Sequence, residues 1–203
     1  MRMTFGVAVL SLLATSGCAS MDGGDGTRVT LDTGAGRIVV SITPGGAPAS
    51  ACQFLRHVAD GAYDGGEFFR STTPASGDNG LGSMGLVQAM GPTPDVEATQ
   101  APVTDPLPPP VSLTDRPAVL SRGQLALAQI DGGSPTESFI IVTQAAPAGG
   151  LTTPRLVRIG RVSHGMKTVD RIAASAMTNG LFDTPPPIRR ARLLGAMPAA
   201  CRR

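Results

Sequence analysis

Tryptophan is absent from this 203-residue chain, tyrosine occurs once, and aromatic residues amount to 3%. Any core must therefore be packed mainly with aliphatic side chains. Lysine is nearly missing too: Lys167 stands alone among 17 basic residues, a skew that reads as compositional bias and not as a binding patch. The net charge is only +2, whereas binding a phosphate backbone requires a markedly basic surface, so no nucleic-acid partner is expected. Two histidines and three cysteines, without CxxC or Cys/His spacing, point to no metal site, and no nucleotide motif points to a cofactor. His57 and His164 read as exposed polar residues. No apolar run reaches the roughly 18 residues of a spanning helix, so membrane contact is expected only through an anchor. What is present is 41% hydrophobic residues, enough for a packed core and against wholesale disorder.

The N-terminus reads as an address. Arg2 precedes a short apolar stretch, Phe5 to Ala14, and small residues follow, the layout of a bacterial secretory signal over residues 1–20. Thr15-Ser16-Gly17-Cys18 resembles a lipobox, which would make Cys18 the acylated residue and the product a periplasmic, membrane-anchored lipoprotein. The alternative is ordinary cleavage near Ala19 or Ser20 and a soluble periplasmic protein. An oxidising compartment would permit a Cys52–Cys201 bridge. The preferred reading is one small buried thiol and one tail thiol.

Residues 21–27 are Gly/Asp-rich and read as a tether. Alternation then begins: Val29 and Leu31, a Thr33-Gly34-Ala35-Gly36 turn, then Ile38, Val40 and Ile42, which is a β-hairpin pattern. Ala47-Pro48 opens a helix carrying Ala51, Phe54, Leu55 and Val58 at helical spacing, and Asp60-Gly61 closes it. Further strands are expected at 67–70, 86–90, 124–128, 138–143, 156–162 and 188–194, with a second helix from Met166. Gly91 to Pro110 holds seven prolines and reads as a surface excursion. Residues 195–203 form a tail. Many short strands and two helices imply a closed or nearly closed barrel with helical caps.

The order of the motifs resembles the cyclophilin-type peptidyl-prolyl isomerases, on a divergent bacterial secreted branch. The hairpin leads to Gln53-Phe54-Leu55, then Tyr63-Asp64-Gly65 and Phe68-Phe69-Arg70. Leu86-Val87-Gln88 is similar to the family's M-x-Q strand, and Gly123 to Gln129 to its G-x-L-S-M-A-N/R strand. Thr136-Glu137-Ser138-Phe139-Ile140 resembles S-Q/E-F-F-I, and Ile159-Gly160-Arg161-Val162 with Gly165-Met166 resembles F-G-x-V-x-x-G-M. The likeness covers residues 28–194. It implies a closed antiparallel eight-stranded β-barrel, capped by helices near 47–60 and 165–177.

The resemblance also implies a chemistry. Rotation about an X-Pro bond faces a barrier near 20 kcal/mol, and the twisted prolyl nitrogen becomes a better hydrogen-bond acceptor. A fixed guanidinium aimed at it binds the twisted state better than either planar isomer. Arg70 falls at the family's catalytic arginine, Phe139 at the floor of the proline pocket and Leu86 at its wall. Gln88 falls at the glutamine that holds arginine and substrate, Ala128 and Gln129 on the strand that pairs with the peptide, and Glu137 where Gln or Glu is usual. Leu156 replaces a frequent histidine, and Leu151 is the nearest candidate for the pocket-rim tryptophan. Taken singly, Arg70 would be a surface ion-pair residue and Phe139 a core residue. Proline-containing polypeptides are the implied substrates, the role is folding of envelope or secreted proteins, and a monomer is expected. The competing readings are a non-catalytic proline-binding module, for which Leu127, Ser138 and the altered rim speak, and a structural lipoprotein, against which the joint retention of Arg70, Gln88 and Phe139 speaks.

Overall fold

The structure, a computed structural model, describes residues 26–43, 48–74, 84–92, 120–129, 135–145 and 156–202. Among the described residues, ten strands and two α-helices follow in the order β1 (Arg28–Thr33), β2 (Gly36–Ile42), α1 (Pro48–Ala59), β3 (Glu67–Thr72), β4 (Gly85–Met90), β5 (Gln124–Gln129), β6 (Pro135–Gln144), β7 (Leu156–His164), α2 (Met166–Ala173), β8 (Met177–Thr178), β9 (Leu181–Phe182) and β10 (Ile188–Leu194). All strands join one antiparallel sheet in the order β10-β1-β2-β7-β5-β6-β4-β3-β9-β8. The eight expected strands are present. The two extra ones, β8 and β9, are two residues each, too short to show an alternation. They begin where the second helix was expected to continue, so α2 ends at Ala173 and not near 177.

The sheet curls because the chain leading into β10 bonds back to the approach to β3. Gly65 N–H donates to Ile188 O at 2.9 Å, Ile188 N–H to Gly66 O at 2.7 Å and Phe68 N–H to Pro186 O at 2.9 Å. The Tyr63-Asp64-Gly65 turn makes this possible. Gly65 sits at φ 79°, left-handed backbone that glycine adopts without a Cβ penalty. Asp64 Oδ1 accepts from Ala191 N–H of β10 at 2.8 Å and from Arg192 at 2.9 Å. Tyr63 is 1% exposed.

Inside lie Val29, Leu31, Ile38, Val40, Leu125, Leu127 and Ile159 from the strands, with Phe54, Leu55 and Val58 of α1 and Val169 and Ile172 of α2. The few aromatics are concentrated at one spot. Phe139 of β6 meets Phe54, Tyr63 and Phe68 with ring centroids at 5.7, 5.3 and 6.2 Å, edge to face in each case. Such pairs stabilise beyond their buried area.

Cys52 of α1 and Cys201, in a 3₁₀ turn at Ala199–Cys201, form a disulfide. This corrects the preference for two free thiols. The partners are 149 residues apart, and only folding brings the tail onto α1. The arginines are less evenly spread than their number suggested: Arg28, Arg37, Arg161, Arg190 and Arg192 share the outer face of β10-β1-β2-β7.

Candidate active site on the outer face of the sheet

Side chains alternate across a sheet, and the two hydrophobic clusters follow that rule. Val87, Ala89, Leu125, Leu127, Phe139 and Ile141 face the interior. Their neighbours Leu86, Ala126, Ile140 and Val142 form a second cluster on the outer side, with Met84, Leu120 and the partly buried Leu156.

Arg70 reaches this outer face through an irregularity. Phe68 faces in, paired with Ala89, so strict alternation would turn Arg70 inward as well. The register shifts at Phe69, and Arg70 pairs instead with Gln88. One extra residue on the bulged strand re-aims the next side chain. The result is a row of cross-strand neighbours over six strands: Leu181, Arg70, Gln88, Ile140, Ala126 and Arg158. Leu86 occupies the adjacent position on β4, opposite Val142 and Thr72.

Gln88 is half-buried, and its Nε2 donates to Ser138 Oγ at 3.1 Å. Its Oε1 is buried and lacks a hydrogen-bond donor. A buried acceptor left without a donor is costly, and here it lies beside Arg70 on the same face. The apolar middle of the row is covered: Ile140 and Ala126, with the adjacent Leu86 and Val142, are fully buried. Arg70 is half-buried and Leu181 is exposed, so the row is accessible on its Arg70 side, as it is at Arg158.

Among the expected site residues, Arg70, Leu86 and Gln88 come together. Phe139 does not join them: it points into the interior, fully buried among Phe54, Tyr63 and Phe68. Ile140, one residue on, takes the place opposite Gln88, and Ser138 holds its amide. Ala128 lies on β5 opposite Leu156, and Gln129 opposite Pro135. Glu137 lies on the backbone of β6. The side chains of Ala128, Gln129 and Glu137, together with Leu151, Cys18 and residues 93–110 of the proline-rich excursion, lie outside the described residues. Sequence reasoning gave no site role to Ile140 or Leu181, and took Ser138 only as a departure from the family's pattern. The alternation Ser138, Ile140, Val142 was visible, but which phase faces outward depends on pairing with β4, a strand about 50 residues away.

The family profile described as cyclophilin type peptidyl-prolyl cis-trans isomerase/CLD matches residues 28–193. The chain belongs to the cyclophilin-type peptidyl-prolyl cis-trans isomerase family. Its fold is similar to the crystal structure of a cyclophilin type peptidyl-prolyl cis-trans isomerase of Cryptosporidium parvum, with a TM-score of 0.56 and 16% identity over 84% of this chain and 98% of that one. It is similar also to that protein's structure in the presence of the dipeptide Ala-Pro, with a TM-score of 0.57 and 16% identity over 83% and 99%. A search of the curated proteins finds no match.

Proposed function

We propose that the outer-face row isomerises X-Pro bonds in exported polypeptides. The observation that carries this reading is the juxtaposition of Arg70 with the donor-less Gln88 Oε1 on one face of β3 and β4. Gln88 Oε1, buried in the free protein, accepts a substrate backbone N–H once neighbouring side chains part to admit the peptide, while its Nε2 stays tied to Ser138. That fixes the peptide beside Arg70. The guanidinium then donates toward the prolyl nitrogen as it loses conjugation, which lowers the barrier without proton transfer. Ile140 and Leu86, rather than Phe139, supply the apolar surface for the ring. The test is exchange between cis and trans isomers of an X-Pro peptide, followed by NMR with wild type and Arg70→Ala. Catalysis that Arg70→Ala abolishes supports the reading, and folded wild type without catalysis defeats it.

One observation favours a rival reading, a structural protein with a degenerate groove. Leu86 and Ile140 have no exposure, so a proline ring reaches them only if neighbours such as Met84 or Leu120 move. Absence of both peptide binding and isomerisation would select this reading, and binding without isomerisation would select a non-catalytic proline-binding module.

For location we propose an exported protein anchored by a lipid on Cys18. The secretory pattern of residues 1–20 supports export. The Cys52–Cys201 disulfide supports it independently, since such bonds persist in oxidising compartments. Fatty-acid labelling in cells, lost in Cys18→Ala, tests the anchor.

A further inference from the structure

Among the described residues, two large hydrophobic side chains are strongly exposed, and one of them, Leu181 at 54%, stands beside Arg70. A solitary surface leucine needs no explanation by itself. Leu181 differs in how it is held. It follows the Asn179-Gly180 turn, whose φ angles of 54° and 80° match a tight hairpin turn between β8 and β9. Ser71 N–H of β3 donates to Gly180 O at 2.9 Å. Thr178 Oγ1 bonds Asp183 Oδ1 at 2.7 Å, and Asp183 N–H donates to Ala176 O at 3.1 Å. Phe182, the next residue, is 5% exposed and part of the core cluster. The leucine is therefore presented in a fixed place by an anchored hairpin, directly opposite Arg70.

We propose that Leu181 forms an apolar subsite for the residue preceding the proline, so that the preferred substrates carry a large apolar side chain immediately before it. This rests on the isomerase reading of the row. Neighbouring strands lie about 4.8 Å apart, which places Leu181 about 5 Å from Arg70 and about 10 Å from Gln88 along the row. The proline ring belongs at the apolar part of this face, near Ile140 and Leu86, and Arg70 addresses the bond between the ring and the preceding residue. That preceding residue then extends past Arg70 in the other direction. Its side chain meets Leu181, and both lose water-exposed apolar surface.

The test measures isomerisation and affinity together, by NMR exchange and NMR titration, on short peptides with Leu, Phe or Gly before the proline. A control set carries the leucine after it. For wild type, kcat/KM and affinity should favour Leu-Pro and Phe-Pro over Gly-Pro by about 3- to 10-fold, below what an enclosed pocket achieves because part of the leucine stays in water. Leu181→Ser should bring the ratio close to one, and Leu181→Met should keep it. Because the side chain is exposed, both variants should melt with wild type, which separates recognition from folding. A ratio unchanged in Leu181→Ser, or a preference located after the proline, overturns the proposal while leaving isomerisation intact. Binding that depends on Leu181 without turnover would keep the subsite and remove the isomerase reading. Neither turnover nor binding removes both.

Discussion

In the proposed function the Arg70 guanidinium is the electrostatic donor to the twisted bond, so its loss should be felt in turnover. Arg70→Ala should lower kcat/KM by about one to three orders of magnitude, the scale of losing an electrostatic donor. Arg70→Lys should also be poor, because a point charge cannot copy the planar fork. Exchange NMR on an X-Pro peptide measures both. Phe139 belongs to a different argument. Its ring is the hub of four aromatics in a chain that has few. Phe139→Ala should therefore cost about 3–5 kcal/mol of stability, read by urea unfolding, and should reach the site only through loosened packing.

Between elements, the Tyr63-Asp64-Gly65 turn acts as a clasp on β10. Partial burial by itself raises the Asp64 pKa, but the Ala191 amide and the Arg192 and Arg190 guanidinium groups outweigh it. The carboxyl is held below its ordinary value. A group with a depressed folded pKa stabilises above its unfolded pKa, and that contribution disappears as pH falls through the folded one. Asp64→Asn should accordingly destabilise at neutral pH, and the difference from wild type should shrink as pH falls through the lowered pKa of Asp64. Urea titrations at neutral and at acid pH measure it, and the exposed half of Arg192 should keep the effect modest. At the start of α2, Gly165 has φ 90°, and a Cβ there would collide with the Arg37 carbonyl. Gly165→Ala should cost about 1–3 kcal/mol, visible as a lower melting temperature.

Across the molecule, the disulfide ties α1 to the C-terminal turn over a separation of 149 residues. Bridging so long a loop restricts the unfolded chain, and Cys201→Ser should lose about 2–4 kcal/mol. Reductant should lower the melting temperature of wild type and leave that variant unchanged. The sheet should survive in both, because Cys201 and Met197 add the tail to a core that strand and helix residues otherwise build. Among the described residues, no helix is long and apolar enough to cross a membrane and no cluster of His, Cys, Asp and Glu could hold a metal.

Local periodicity determined the eight longer strands, the first helix and the start of the second, because side-chain alternation and helical spacing are written in adjacent residues. The order of short motifs determined the family and pointed to Arg70, Leu86 and Gln88, which the structure places on one face of β3 and β4. Tertiary structure decided the rest. A bulge at Phe69 turned Arg70 outward, and pairing of β6 with β4 placed Ile140 rather than Phe139 beside Gln88. A motif aligned one residue out of phase puts a side chain on the wrong face, since the period of a strand is two. The placement of Leu181 beside Arg70 and the Cys52–Cys201 bond share that origin. Each joins residues far apart in the chain, and only the packing of the sheet and its helices brings them together.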